Sequence, residues 1–163
     1  MQSFDTEERV RCAVAYFNEG YNCAQSVFMA YADLFDYTKE AAKAISSSFG
    51  GGIGRLREVC GTVSAMAMLS GLKYPASDPT DSASKTANYA VTRNMVKRFT
   101  DEYTTVRCGE LLKIPAGKKE RATPSERTSE YYAKRPCGRF VEHAARISGQ
   151  MLKEEITAEE NKQ

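Results

Sequence analysis

The chain predicts an all-α fold, a single-domain bundle of about five to seven helices. Three observations carry this. Apolar residues recur three and four positions apart in segment after segment, the period of a helix buried on one side. No segment alternates apolar and polar residues over the length of a strand. Finally, 42% hydrophobic and 27% charged residues over 163 positions suit one domain with a core of its own.

The elements follow in order. Asp5 to Glu19 reads as a first helix with Val10, Val14 and Phe17 on one stripe and Cys12 on the opposite side, closed by Gly20. Asn22 is placed to cap a second helix running to about Phe35, with Cys23, Val27, Ala30, Tyr31 and Leu34 on one face. Thr38 caps a third, Lys39 to about Ser48, with Ala41, Ala44 and Ile45 turned inward. After the cluster Gly50-Gly51-Gly52-Ile53-Gly54 comes an apolar helix from Val59 to Gly71, with Cys60 in its first turn. It is apolar or small nearly all round and should be central. Gly61 within it costs roughly 1 kcal/mol against alanine, so a close neighbour is expected there.

A proline-rich break, Lys73 to Asp81, precedes a long helix from Ser82 to about Tyr103 that buries Ala87, Tyr89, Ala90, Met95 and Phe99. Cys108 to Leu112 reads as a helical turn. Thr123-Pro124-Ser125-Glu126 fits a capping box for a short helix to Ala133. Pro136 introduces the last helix, striped by Cys137, Phe140, Ala144, Ile147 and Met151. The core spans about residues 5–152, and the charged tail 153–163 is expected to fray.

Composition excludes several classes of function. A formal net charge of +2 with no basic run interleaved with aromatics argues against nucleic acid. The longest apolar run, around Cys60, is too short and too rich in Gly, Ser and Thr for membrane insertion. MQSFDTEERV is acidic and lacks an apolar signal core, which points to a cytoplasmic protein. Five cysteines then read as thiols in a reducing compartment, not as a disulfide scaffold.

Where the cysteines fall is informative. Cys23, Cys60, Cys108 and Cys137 each open a predicted helix and lead its inward stripe. Helix N-termini favour a thiolate, and Arg57, Arg107, Arg135 and Arg139 lie close by in sequence, whereas desolvation opposes ionisation. The alternative is four small core residues, because free cysteine is commonly buried. No CxxC is present, so any pair or cluster must be assembled by the fold from distant helices. His143, the only histidine, falls beside the last stripe and has no thiol assigned to it; Cys12 reads as incidental.

The glycine loop also has two readings. Gly51, Gly52 and Gly54 can turn N–H groups towards an anion or substrate, with Arg55 adding charge. The loop can equally be a tight connection that lets two helices cross, and it lacks the Lys-Ser/Thr ending of a P-loop.

The segments GYNCAQSV (20–27), FGGGIGR (49–55) and VCGTVSAMAMLSGLKY (59–74), with RCGELL and RPCGRFVEHAARI later, resemble the redox-active protein family named for a CGAxxG motif and isolated flanking cysteines. The resemblance covers roughly Glu8 to Leu152 and maps the four characteristic cysteines onto Cys23, Cys60, Cys108 and Cys137. It implies a small all-helical protein whose thiol redox activity is inferred from that cysteine pattern. The chain departs from the motif at Thr62, where the family has alanine, and at Ala65, where it has the second glycine.

Three functions fit. One is dithiol/disulfide exchange needing no cofactor, with Cys60 as attacking thiol beside basic residues and a flexible loop, acting on a redox partner or a small oxidised substrate. The second is a zinc or iron–sulfur site with all four cysteines as ligands. The third is a helical interaction module whose thiols only pack. The pairing of the cysteines, the electron donor and the oligomeric state stay open at this level.

Overall fold

The computed structural model describes residues 2–154, and among these it is all-α, one compact domain of eight α-helices with two 3-10 turns. They are α1 (Thr6–Asn18), α2 (Cys23–Met29), α3 (Lys39–Ser46), α4 (Gly61–Lys73), α5 (Ser82–Tyr103), α6 (Cys108–Leu111), α7 (Ser129–Lys134) and α8 (Cys137–Lys153). The count exceeds seven because α6 and α7 are pieces of one to two turns. Lys153 ends α8 in helical conformation, contrary to the expected fraying there, and residues 155–163 of the expected tail lie outside the described residues.

Helix starts follow their caps. Asp5, Thr38 and Asp81 each accept a backbone N–H three residues on. Asn22 and Gln25 form a reciprocal capping box at α2, at 3.0 and 3.1 Å. The second helix stops early, at Met29, and resumes as a 3-10 turn, Ala32–Phe35, closed by left-handed Asp36. That break lets Tyr31, fully buried, donate its hydroxyl to the Ala145 carbonyl on α8 at 2.7 Å.

The central helix is α4, packed on α2, α8 and α5; α8 also carries α1. Gly61 is the closest approach: a Cβ there would lie 2.7 Å from the Cys23 sulfur and 2.8 Å from the Phe49 carbonyl oxygen. The close neighbour expected at Gly61 is therefore the start of α2 together with the 49–51 turn.

Several expectations need correction. On α3 the buried residues are Ala42 and Ser46, while Ala44 and Ile45 are exposed, because α3 leans on α2 through a different rotation. On α1, Ala13 takes the buried place expected for Val14. Tyr89 is exposed; Val91, Met95 and Phe99 form the buried stripe of α5. The box Thr123–Glu126 starts no helix. Thr128 caps α7 instead, and residues 113–128 form a strap held by side-chain contacts to the glycine loop.

Candidate functional site

Cys23, Cys108 and Cys137 are the first residues of α2, α6 and α8, and Cys60 is the N-cap of α4 rather than part of its first turn. All four line one cavity of about 400 Å³. Two local devices bring them there. The α2–α4 crossing at Gly61 puts the Cys23 and Cys60 thiols in contact. A short antiparallel bridge, Val59 with Arg107, then lays the Cys60 segment beside the Cys108 segment. Its bonds run from Cys60 N–H to the Val106 carbonyl (2.8 Å) and from Cys108 N–H to the Glu58 carbonyl (2.7 Å). No strand pattern in the sequence announces a pairing this short.

Electrostatics separates the thiols. The Cys60 thiol donates to the Cys23 sulfur and lowers the Cys23 pKa to about 6. Burial opposes this, and the backbone N–H groups of Gly51, Ala24 and Gly61 support it. Cys60 is pushed well up, first by its hydrogen bond to Cys23, then by burial and the Cys23 charge. Within the pair the donors favour charge on Cys23, which faces three backbone N–H groups, over Cys60. At the other two cysteines desolvation outweighs the helix N-terminus. Burial raises Cys108 despite Arg57, and raises Cys137 to about 12 with help from the charges of Cys23 and Cys108.

The basic residues also sort differently from their sequence neighbours. Arg57 lies at Cys108, its Nη1 3.6 Å from that sulfur, and donates its Nε to Glu120 at 2.6 Å. Arg107 is exposed and pairs with Glu58 at 2.9 Å, and Arg139 is exposed. Arg135 lines the cavity. Thr62, at the position where the family motif has alanine, is fully buried with its hydroxyl 3.2 Å from the Cys60 sulfur. Ala65 is also fully buried, so the second departure keeps close packing.

The glycine loop takes an unusual form. Gly51, Gly52, Ile53, Gly54 and Arg55 all have left-handed backbone, with φ between 53° and 68°. That conformation costs an ordinary L-residue roughly 1–2 kcal/mol, so the glycines ease it and Ile53 and Arg55 carry strain. Most of its N–H groups bond within the loop, among them Gly54 to Ser48 (2.9 Å) and Glu58 to Gly52 (3.0 Å). The N–H of Gly51 faces the Cys23 sulfur. Gly51, Gly54 and Arg55 line the cavity, while Gly52 is buried against Cys108. Arg55 reaches the strap, donating to the Arg121 carbonyl (2.9 Å), the Ser125 hydroxyl (3.4 Å) and Glu120 (3.3 Å).

The strap residues Glu120, Ser125 and Arg127 were not singled out from sequence, since Glu120 falls in a polar stretch and Ser125 and Arg127 in what reads as a helix start. His143 packs edge-on against Phe99 and Tyr103, outside the cavity lining, and Cys12 is half-buried against the core. Among the described residues no three His, Cys, Asp or Glu side chains are grouped so as to hold a metal ion. The four sulfurs line one cavity without being drawn into a common coordination sphere. Among the described residues no helix is long and apolar enough to cross a membrane.

No curated protein and no solved structure matches the chain. The family described as "Putative redox-active protein (C_GCAxxG_C_C)" matches residues 21–151, a span that takes in Cys23, Cys60, Cys108 and Cys137. With most of its length and all four characteristic cysteines inside that match, the chain belongs to this redox-active family.

Proposed function

We propose that the protein is a thiol–disulfide redox protein in which Cys23 attacks and Cys60 resolves, in place of the attacking role expected for Cys60 from sequence. The observation that carries this is the contact between Cys23 and Cys60 at the crossing of two helix N-termini, with the backbone N–H groups of Gly51, Ala24 and Gly61 turned to the Cys23 sulfur. The Cys23 thiolate attacks one sulfur of a disulfide R–S–S–R, forming a mixed disulfide and releasing R–S⁻. Cys60 gives up its proton to that leaving thiolate and attacks the Cys23 sulfur, expelling the second R–S⁻. Two electrons pass to the substrate, and a Cys23–Cys60 disulfide remains. Cys108 and Cys137, held protonated by burial, stand in the same cavity as a second pair of thiols. A packing-only role leaves the ionised Cys23 unexplained, since burial alone would raise a thiol pKa.

The test is alkylation and oxidation of anaerobically prepared protein. Iodoacetamide should modify Cys23 first, with a midpoint near pH 6. Mild oxidation should remove two hydrogens and join Cys23 to Cys60 in the peptide map. A preparation carrying stoichiometric zinc, or iron with visible absorbance, would instead support the metal reading, and an oxidised protein without a Cys23–Cys60 bond would refute ours.

A further inference from the structure

Arg55, Arg57, Arg127 and Arg135 line the cysteine cavity, and no carboxylate does. Glu120, reaching in from the strap, pairs with both Arg55 and Arg57. Arg127 and Arg135 form no ion pair among the described residues. Arg127 sits over the rings of Phe17 (4.9 Å) and Tyr131 (4.6 Å) and gives one N–H to the Tyr21 carbonyl at 3.3 Å. Its Nη1 is buried and has no hydrogen-bond partner among the described residues. Arg135 lies 5.3 Å from the Tyr131 ring centre. A guanidinium at a cavity wall without a counter-charge suits a carboxylate, whose two oxygens match its paired N–H groups. Even with Cys23 ionised, the cavity holds more positive than negative charge. Its volume of about 400 Å³ lies within the range of small-molecule pockets.

From these features we infer that the substrate is a small disulfide bearing carboxylates, with an acid group held by Arg127 and Arg135 while its sulfur meets Cys23. The inference rests on the dithiol reading above and adds the class of oxidant. The chemistry is the same two-step exchange: the carboxylate-bearing disulfide accepts two electrons and leaves as two thiols, one of them carrying the proton from Cys60. The arginines are binding and positioning residues. They touch the remote acid groups and take no part in the sulfur exchange.

Two measurements separate the claims. The first uses suberate, a redox-inert dicarboxylate of the same chain length as 3,3′-dithiodipropionate, titrated calorimetrically into reduced protein. Saturable binding is expected, weakened at least about tenfold in Arg127→Gln and in Arg135→Gln. Arg135→Gln leaves the ring-packed Arg127 in place, so the test stands even if Arg127→Gln folds poorly. The second compares oxidation of the Cys23–Cys60 pair by 3,3′-dithiodipropionate and by neutral bis(2-hydroxyethyl) disulfide. The anionic disulfide should react at least about tenfold faster at low salt, and Arg135→Gln should bring the ratio of anionic to neutral rates close to one. Equal rates for the two disulfides, or suberate binding indifferent to both arginines, would overturn this inference and leave the dithiol reading standing. Failure of both disulfides to form the Cys23–Cys60 bond would overturn both.

Discussion

The Cys23 sulfur lies against Gly61 so closely that a Cβ on that glycine would sit 2.7 Å from it. One missing side chain thus sets the distance between the start of α2 and the start of α4, and with it the contact between Cys23 and Cys60. Gly61→Ala must push against the sulfur, the Phe49 carbonyl and the Ala24 methyl together. The expected loss is about 1–3 kcal/mol, as for an overpacked core. Iodoacetamide alkylation of Cys23 at pH 7 should slow several-fold as its donors are displaced; unchanged stability and reactivity would show that the crossing has slack.

Stability should depend on pH through Cys23. Its folded pKa, about 6, is below its unfolded value, so its contribution is complete above the unfolded thiol range. That contribution is lost as pH falls through about 6. The raised Cys60, Cys108 and Cys137 act in the opposite sense, but only as pH rises through the unfolded thiol range. Between pH 6.5 and 8, urea midpoints under reducing conditions should therefore rise with pH, by at most about 1.4 kcal/mol per unit for one proton. Cys23→Ser should flatten that slope, and a slope that persists in the variant assigns it to another group.

Glu120 fastens the strap. Burial alone would raise its pKa, yet the hydrogen bond from Arg57 and the charges of Arg57, Arg55 and Arg135 hold it below the ordinary carboxylate value. Glu120→Gln leaves Arg55 and Arg57 without their shared counter-charge. Loosening of the strap by about 1–3 kcal/mol is expected, because a mostly buried pair is broken from one side. Amide exchange and protease cleavage in residues 118–126 should accelerate, with α1, α4 and α8 unaffected. Arg57, freed from Glu120, should also lower the Cys108 pKa, readable as faster alkylation of that thiol.

Tyr31→Phe offers a contrast far from the cavity lining. It removes the buried hydroxyl that bonds the Ala145 carbonyl and leaves that carbonyl short of a partner. A cost of about 1–3 kcal/mol in thermal or urea unfolding is expected, with the alkylation profile of Cys23 unchanged. A shift in that profile would mean that the α2–α8 contact is coupled to the thiol pair.

What the sequence determined by itself was local. The caps Asp5, Asn22, Thr38 and Asp81 start helices where they stand, because a cap depends only on the next three residues. The all-round apolar character of α4, the 3.6-residue stripe of α8, the family and the four cysteines were likewise legible. The early end of α2, the rotation of α3 and the late start of α7 were decided by the tertiary structure. There, Tyr31 reaching α8, α3 leaning on α2 and the Glu120–arginine contacts outweigh local propensity. Which thiol carries the charge was decided there as well. Desolvation and donor groups come from elements far apart in the chain, so Cys23 receives the Cys60 thiol and three N–H groups while the other cysteines receive mostly burial.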